Sequence, residues 1–148
     1  PLYFASLYGR GESLQLKIDC PKYSTDIADD VKYIDASGVI NNENNELSFF
    51  IINRSEKDNI NINCQWKDIH IDCIIDQQII NNEDMYTANT KDKPNTIQPK
   101  KSSIAQCLNN QLSADLPCLS YLFVRLKIKW LCAKNILDLF FIEQIGWA

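Results

Sequence analysis

Asp35 lies inside VKYIDASGVI (Val31 to Ile40), a predicted strand, and is the carboxylate best placed to do chemistry. Such a group can act as a general acid, a base or a nucleophile. Hydrolysis also needs a second carboxyl, a nucleophile with its base, or a metal. No partner for Asp35 is visible along the chain. Glu43, Glu46, Glu56, Asp58, Glu83 and Asp84 fall in turn-like stretches, where solvated charge is their ordinary role. His70, the single histidine, alternates onto the wet side of its strand, with no Ser or Cys evidently paired to it.

Trp66, Tyr86 and Tyr121 are candidates for a sugar-stacking platform, although aromatic rings in a small sandwich more often fill the core. Gly9 and Gly11 form a lone GRG, too little for a phosphate loop. Of the six cysteines (Cys20, Cys64, Cys73, Cys107, Cys118, Cys132), no two have CxxC spacing. With one histidine, a zinc site is poorly supported. The expectation is free, mostly buried thiols in a reducing compartment. Asn53-Arg54-Ser55 is a glycosylation sequon, relevant only to a secreted chain. Catalytic, cofactor-binding and metal-binding residues are therefore all expected to be none, and no cofactor is implied.

The elements that would position these groups are strands. LQLKID (Leu14 to Asp19) alternates and ends at Pro21. Val31 to Ile40 follows, with Gly38 marking a bulge or a close backbone approach. Asn41 to Glu46 is a turn, and LSFFII (Leu47 to Ile52) reads as buried on both faces. These three strands are expected to form a meander. NININC (Asn59 to Cys64) puts Ile60, Ile62 and Cys64 on one face. Ile69 to Ile80 points Ile69, Ile71 and Cys73 inward, with His70 and Asp72 outward. The segment Thr87 to Lys100 is polar and bracketed by Pro94 and Pro99. Asn109-Asn110 is a two-residue hairpin turn, and Leu119 to Ile128 is a long last strand. No helical stretch precedes Lys129. The pattern predicts an all-β, antiparallel β-sandwich, jelly-roll-like. Trp130 to Ala148 is apolar on many sides yet carries Asp138 and Glu143, so it reads as a short C-terminal helix or an extension foreign to the domain rather than a membrane span.

The bulk numbers fit one domain. The chain has 148 residues, 45% hydrophobic and 23% charged, with a net charge of -4. Scattered lysines and an acidic balance argue against a nucleic-acid partner. The Asn-rich runs read as coding bias. The chain starts at Pro1 and shows no signal-peptide pattern, which suggests that residues upstream were lost or cut away.

Four segments, read in order, resemble the C-terminal β-domain of α-L-arabinofuranosidases of glycoside hydrolase family 51. They are PLYFASLYGRGESLQLKIDCPKYST, VKYIDASGVINNENNELSFFIINRS with its Asn53-Arg54, TANTKDKPNTIQPK with Ala88, Asn89, Thr90, Pro94 and Pro99, and ADLPCLSYLFVRL with Leu116, Pro117, Ser120, Arg125 and Leu126. The resemblance covers Pro1 to Ile128. It implies residues 1–28 as the connection from a barrel plus a first strand, 29–128 as the sandwich, and 129–148 as an atypical tail.

The family removes terminal α-L-arabinofuranosyl groups from arabinan and arabinoxylan, with retention. That needs two carboxyls about 5 Å apart. In the family both are glutamates of a (β/α)8 barrel. No residue here matches either one. The resemblance thus implies a non-catalytic accessory domain whose partners are the barrel, a polysaccharide reached through that barrel, and further copies of itself, with no nucleic acid and no membrane. Cytoplasmic location is favoured and secretion stays open. The resemblance also makes Thr87 to Lys100 a structural strap. Two other readings stand beside it: a stand-alone carbohydrate-binding module, and a non-functional remnant.

Overall fold

The computed structural model describes residues 1–131 and the backbone of 140–147. Two β-sheets face each other across one apolar core. The six-stranded sheet has the order β1 (Glu12–Ser13), β5 (Ile34–Asn41), β6 (Glu46–Asn53), β12 (Ser120–Trp130), β8 (Ile69–Asn81), β9 (Lys100–Lys101). The five-stranded sheet has the order β10 (Ala105–Leu108), β11 (Gln111–Leu116), β7 (Ile60–Gln65), β13 (Phe140–Trp147), β2 (Leu16–Asp19). A short ribbon of β3 (Lys22–Tyr23) and β4 (Val31–Lys32) sits between β2 and β5 in the chain. This is the expected sandwich, antiparallel except where β13 runs parallel to β2.

Alternation decides which side chains meet in the core. From the first sheet come Ile34, Ile40, Leu47, Phe49, Ile51, Leu122, Val124, Leu126 and Ile128. From the second come Ile60, Ile62, Cys64, Leu112, Ala114 and Leu116. Gly38 is a close approach and not a bulge: a Cβ there would stand 3.0 Å from both Leu14 and Phe49. Its carbonyl also accepts the Leu14 amide. Asn109 and Asn110 both have positive φ, and Leu108 pairs with Gln111, so the two-residue turn forms as expected.

Several expectations change. LQLKID does not join a meander with the next two strands. β2 lies in the opposite sheet from β5 and β6, because the polar stretch after Pro21 carries the chain across the sandwich. LSFFII is buried on its core face, but outward Ile52 is 37% exposed. Cys73 is exposed, not inward. Register shifts set Ile128 opposite Ile71 but Lys127 opposite Cys73. Asp72 is thus the extra residue of a bulge that turns Cys73 outward and Ile74 inward, until a second extra residue, Ile75, restores the original alternation. His70 is exposed, as its parity predicts.

A helix, α1 (Leu2–Tyr8), stands where none was expected. Seven residues are too few to be helical alone. It persists because Phe4 and Tyr8, four apart and therefore on one face, both stack on Phe123, at 4.7 and 5.1 Å. The residues Phe140–Trp147 are a strand, not a helix. The rest of the tail, 132–139 and Ala148, lies outside the described residues. No described helix is long and apolar enough to cross a membrane.

Candidate functional site: the outer face of the six-stranded sheet

The residues that alternate away from the core on β5, β6, β12 and β8 line one outer surface. By register Asp35 stands beside Ile52, Ile52 beside Tyr121 and Tyr121 beside Ile80. The next row is Ser37, Phe50, Phe123 and Gln78. Helix α1 lies on this surface. Phe4 is 1% exposed and stacks between Phe123 and Tyr121, and Phe50 closes on Phe123 at 5.5 Å. The Arg125 guanidinium lies 4.6 Å over the ring of Tyr8, in the last turn of the helix, and pairs with Glu46.

Two hollows border the helix. One, of about 410 Å³, is lined by Leu2, Ala5, Asp35, Val39, Phe50 and Ile52 among others. The second, of about 490 Å³, is lined by Tyr23, Arg54, Ile80, Asp84, Met85 and Ile97 among others. Pro1, Ile52 and Tyr121 line both. Burial pushes the Tyr121 phenol up to about 12. The helix meanwhile leaves Leu2, Tyr3 and Leu7 exposed, and Met85 at the second hollow is exposed too.

The sequence candidates do not assemble into a catalytic group. Asp35 does have a partner, contrary to the sequence reading: Arg54 Nη2 lies 2.6 Å from its carboxylate, and Arg54 Nη1 donates to the Lys32 carbonyl. That is an ion pair locking the end of β6 to β5. Asp84 accepts the Tyr86 amide and the Thr87 hydroxyl, which hold its carboxyl below the usual range. It organises a turn. Among the described residues, no three His, Cys, Asp or Glu side chains converge to hold a metal ion. The aromatic candidates do not form a row. Trp66 packs inward near Phe49, Tyr121 is under α1, and Tyr86 projects from a loop.

The five described cysteines are free thiols, but only Cys64 is fully buried; Cys20, Cys107 and Cys118 are half-covered and Cys73 is exposed. Burial pushes the Cys64 thiol up to about 12 and the Cys107 thiol upward. The sequon asparagine, Asn53, is 1% exposed. Its Nδ2 donates to the carbonyls of Asp58, Leu116 and Pro117, and its Oδ1 accepts the Ser55 amide. It is a clip between the ends of β6 and β11, closed to a glycan.

Amide side chains recur in this role, which composition alone did not reveal. Asn89 exchanges two bonds with the Ile97 backbone, Gln77 two with Ala105, and Asn110 bridges the amide of Ile71 and the carbonyl of Ile69. Each amide imitates a strand neighbour where no strand pairs. Asn89 and Thr90 thereby fold Thr87 to Lys100 into a strap. The strap ends by pairing Lys100–Lys101 on the edge of β8.

Residues 1–120 match the family model described as the α-L-arabinofuranosidase C-terminal domain. The chain is 31% identical over 127 residues to an intracellular exo-α-(1→5)-L-arabinofuranosidase 1 of Bacillus subtilis, a match that takes in 86% of this chain and 25% of that protein. It is 29% identical over 126 residues to an intracellular exo-α-(1→5)-L-arabinofuranosidase of Halalkalibacterium halodurans, again 25% of that protein against 85% of this one. The chain thus spans a quarter of the length of the curated relatives it matches. Its fold overlays a family 51 α-L-arabinofuranosidase of Bifidobacterium longum with a TM-score of 0.66, at 19% identity, over 73% of this chain and 21% of that one.

Proposed function

The chain belongs to the α-L-arabinofuranosidase C-terminal domain family, and from that premise we propose that it serves as the non-catalytic accessory domain of an enzyme releasing terminal α-L-arabinofuranosyl groups. Its task is to brace the catalytic domain. The outer face of the six-stranded sheet is the surface that does so. One observation carries this reading: a helix is stacked by Phe4 and Tyr8 onto that sheet while Leu2, Tyr3 and Leu7 remain exposed. In a longer chain, of the length the curated relatives have, polypeptide joined to Pro1 leaves from between the two hollows of this face. Apolar side chains left uncovered beside such a junction are what a neighbouring domain would bury.

No residue described above is assigned to catalysis. The carboxyl pair of the reaction belongs to the catalytic domain, where a separation of about 5 Å gives retention.

A chimera tests the docking face. The chain replaces the corresponding part of the Bacillus subtilis relative, and the purified chimera is melted and assayed on an aryl α-L-arabinofuranoside. A chimera carrying Leu2→Glu and Met85→Glu should lose several degrees of melting temperature. The same pair placed in the isolated chain should leave its own melt nearly unchanged. Equal loss in both settings would mean that the face serves only this domain's own stability.

A further inference from the structure

A further hollow, of about 260 Å³, is lined by Tyr23, Tyr33, Arg54, Glu56 and Asp58 among others, and no residue of helix α1 borders it. Tyr23, Arg54 and Glu56 are also walls of the second hollow described above, of about 490 Å³. The two hollows therefore meet along a shared wall and form one extended groove. It runs from the β3–β4 ribbon to the end of β8, where Asn81 lines it, and its far side reaches Pro1.

Backbone bonds hold the walls in place. Pairing of β3 with β4 sets Tyr23 opposite Val31. The Tyr33 amide donates to the Pro21 carbonyl, and the Tyr33 carbonyl accepts the Arg54 amide at 2.8 Å. The Tyr23 and Tyr33 rings then lie 4.7 Å apart, tilted by 35°. Ser55 and Asp58 exchange two hydrogen bonds that fold a turn, and Glu56 stands exposed on it. The Glu56 and Asn81 side chains have no hydrogen-bond or ion-pair partner among the described residues.

These walls select a class of ligand. Glu56, Asp58 and Asp84 disfavour an anion, and the charge of Arg54 is already met by Asp35. Arg54 and Lys57 in the same wall disfavour a simple cation. A neutral, polyhydroxylated molecule meets neither obstacle. Its C–H faces pack on phenol rings, and its hydroxyls, donors and acceptors at once, satisfy both carboxylates and amides. The larger hollow lies within the roughly 300–1,000 Å³ usual for small-molecule sites. Two hollows sharing a wall suit a chain of sugar units better than a single one.

We propose that this groove is a saccharide-binding subsite, in which Tyr23 and Tyr33 supply the stacking surface while Glu56 and Asn81 bond hydroxyls of an arabinose-containing chain. The choice of arabinose rests on the function proposed above. The groove ends beside Pro1, where the catalytic domain would join, so a polysaccharide held here is held close to the enzyme that trims it.

The test titrates the 148-residue chain with linear arabino-oligosaccharides by calorimetry, with malto-oligosaccharides of equal length as the comparison. Saturable binding of the arabino-oligosaccharides is expected, and Tyr23→Ala should weaken it about tenfold. Glu56→Gln should weaken it severalfold and leave the melt unchanged, since that carboxylate has no partner among the described residues. Absence of saturable binding by a chain that melts cooperatively would overturn the proposal. So would equal binding of the two sugars, or full affinity in both variants. Should Tyr23→Ala fail to fold, Glu56→Gln decides alone: a severalfold loss supports the groove and unchanged affinity refutes it. The bracing role is read separately, from the melt of the chimera, on which Glu56→Gln should have no effect, so failure of one reading is seen apart from failure of the other.

Discussion

Asn53 Nδ2 donates to the carbonyl oxygen of Pro117 at 2.9 Å, joining residues 64 positions apart. The same amide serves Leu116 and Asp58, so one side chain closes the end of the sandwich where β6, β11 and β12 converge. Asn53→Ala strands buried carbonyls without donors and should cost about 2–3 kcal/mol in urea unfolding. A chain sent through a secretory pathway should emerge with no glycan on Asn53 once folded, which mass measurement before and after deglycosylation reads directly.

The Asp35–Arg54 pair is close but half-exposed, with side-chain exposures of 53% and 37%. Screening limits such pairs to about 0.2–1 kcal/mol. A double-mutant cycle with Asp35→Asn and Arg54→Gln should return a coupling in that range. In the chimera with a catalytic domain, Asp35→Asn should leave kcat unchanged. A loss of orders of magnitude would restore Asp35 as a functional carboxylate.

Asn89 holds the strap through two bonds to Ile97, at 2.7 and 2.8 Å. Both are exposed, so Asn89→Ala should cost only about 1 kcal/mol. Its effect should be local: proteolysis within Thr87 to Lys100 accelerates, while the global melt moves little. A large drop in melting temperature would mean that the strap is part of the cooperative core.

Cys64 couples stability to pH. Its thiol is raised from 9.0 to about 12 by burial, so the folded chain keeps its proton while the unfolded thiol ionises. The contribution is complete below pH 9 and declines as pH rises toward 12, by up to about 1.4 kcal/mol per pH unit. Cys64→Ala should lower stability at pH 7 and flatten this decline. Thiol labelling at pH 8 should modify exposed Cys73 first and Cys64 last.

The sandwich was legible because its strands alternate: Ile60, Ile62 and Cys64 point where period-two reading puts them. Cys73 was not, because a bulge at Asp72 is set by the pairing partner on β12 and leaves no mark in the local pattern. Helix α1 escaped for a similar reason. Only the i, i+4 spacing of Phe4 and Tyr8 hinted at it, and the ring that fixes it, Phe123, lies far along the chain. The role of Asp35 turned on Arg54, whose approach depends on how β5 pairs with β6. The Asn-rich composition, read as bias, hid the clips, since an amide's partner is a tertiary fact.

Hydrolysis of an aryl α-L-arabinofuranoside by the purified 148-residue chain is the most direct test of the central claim that this domain supports catalysis without performing it. The account predicts no turnover above the buffer rate at any pH, with the chain folded as judged by a cooperative melt. Saturable turnover that co-purifies with the chain and disappears on substituting one of its own carboxylates would contradict it.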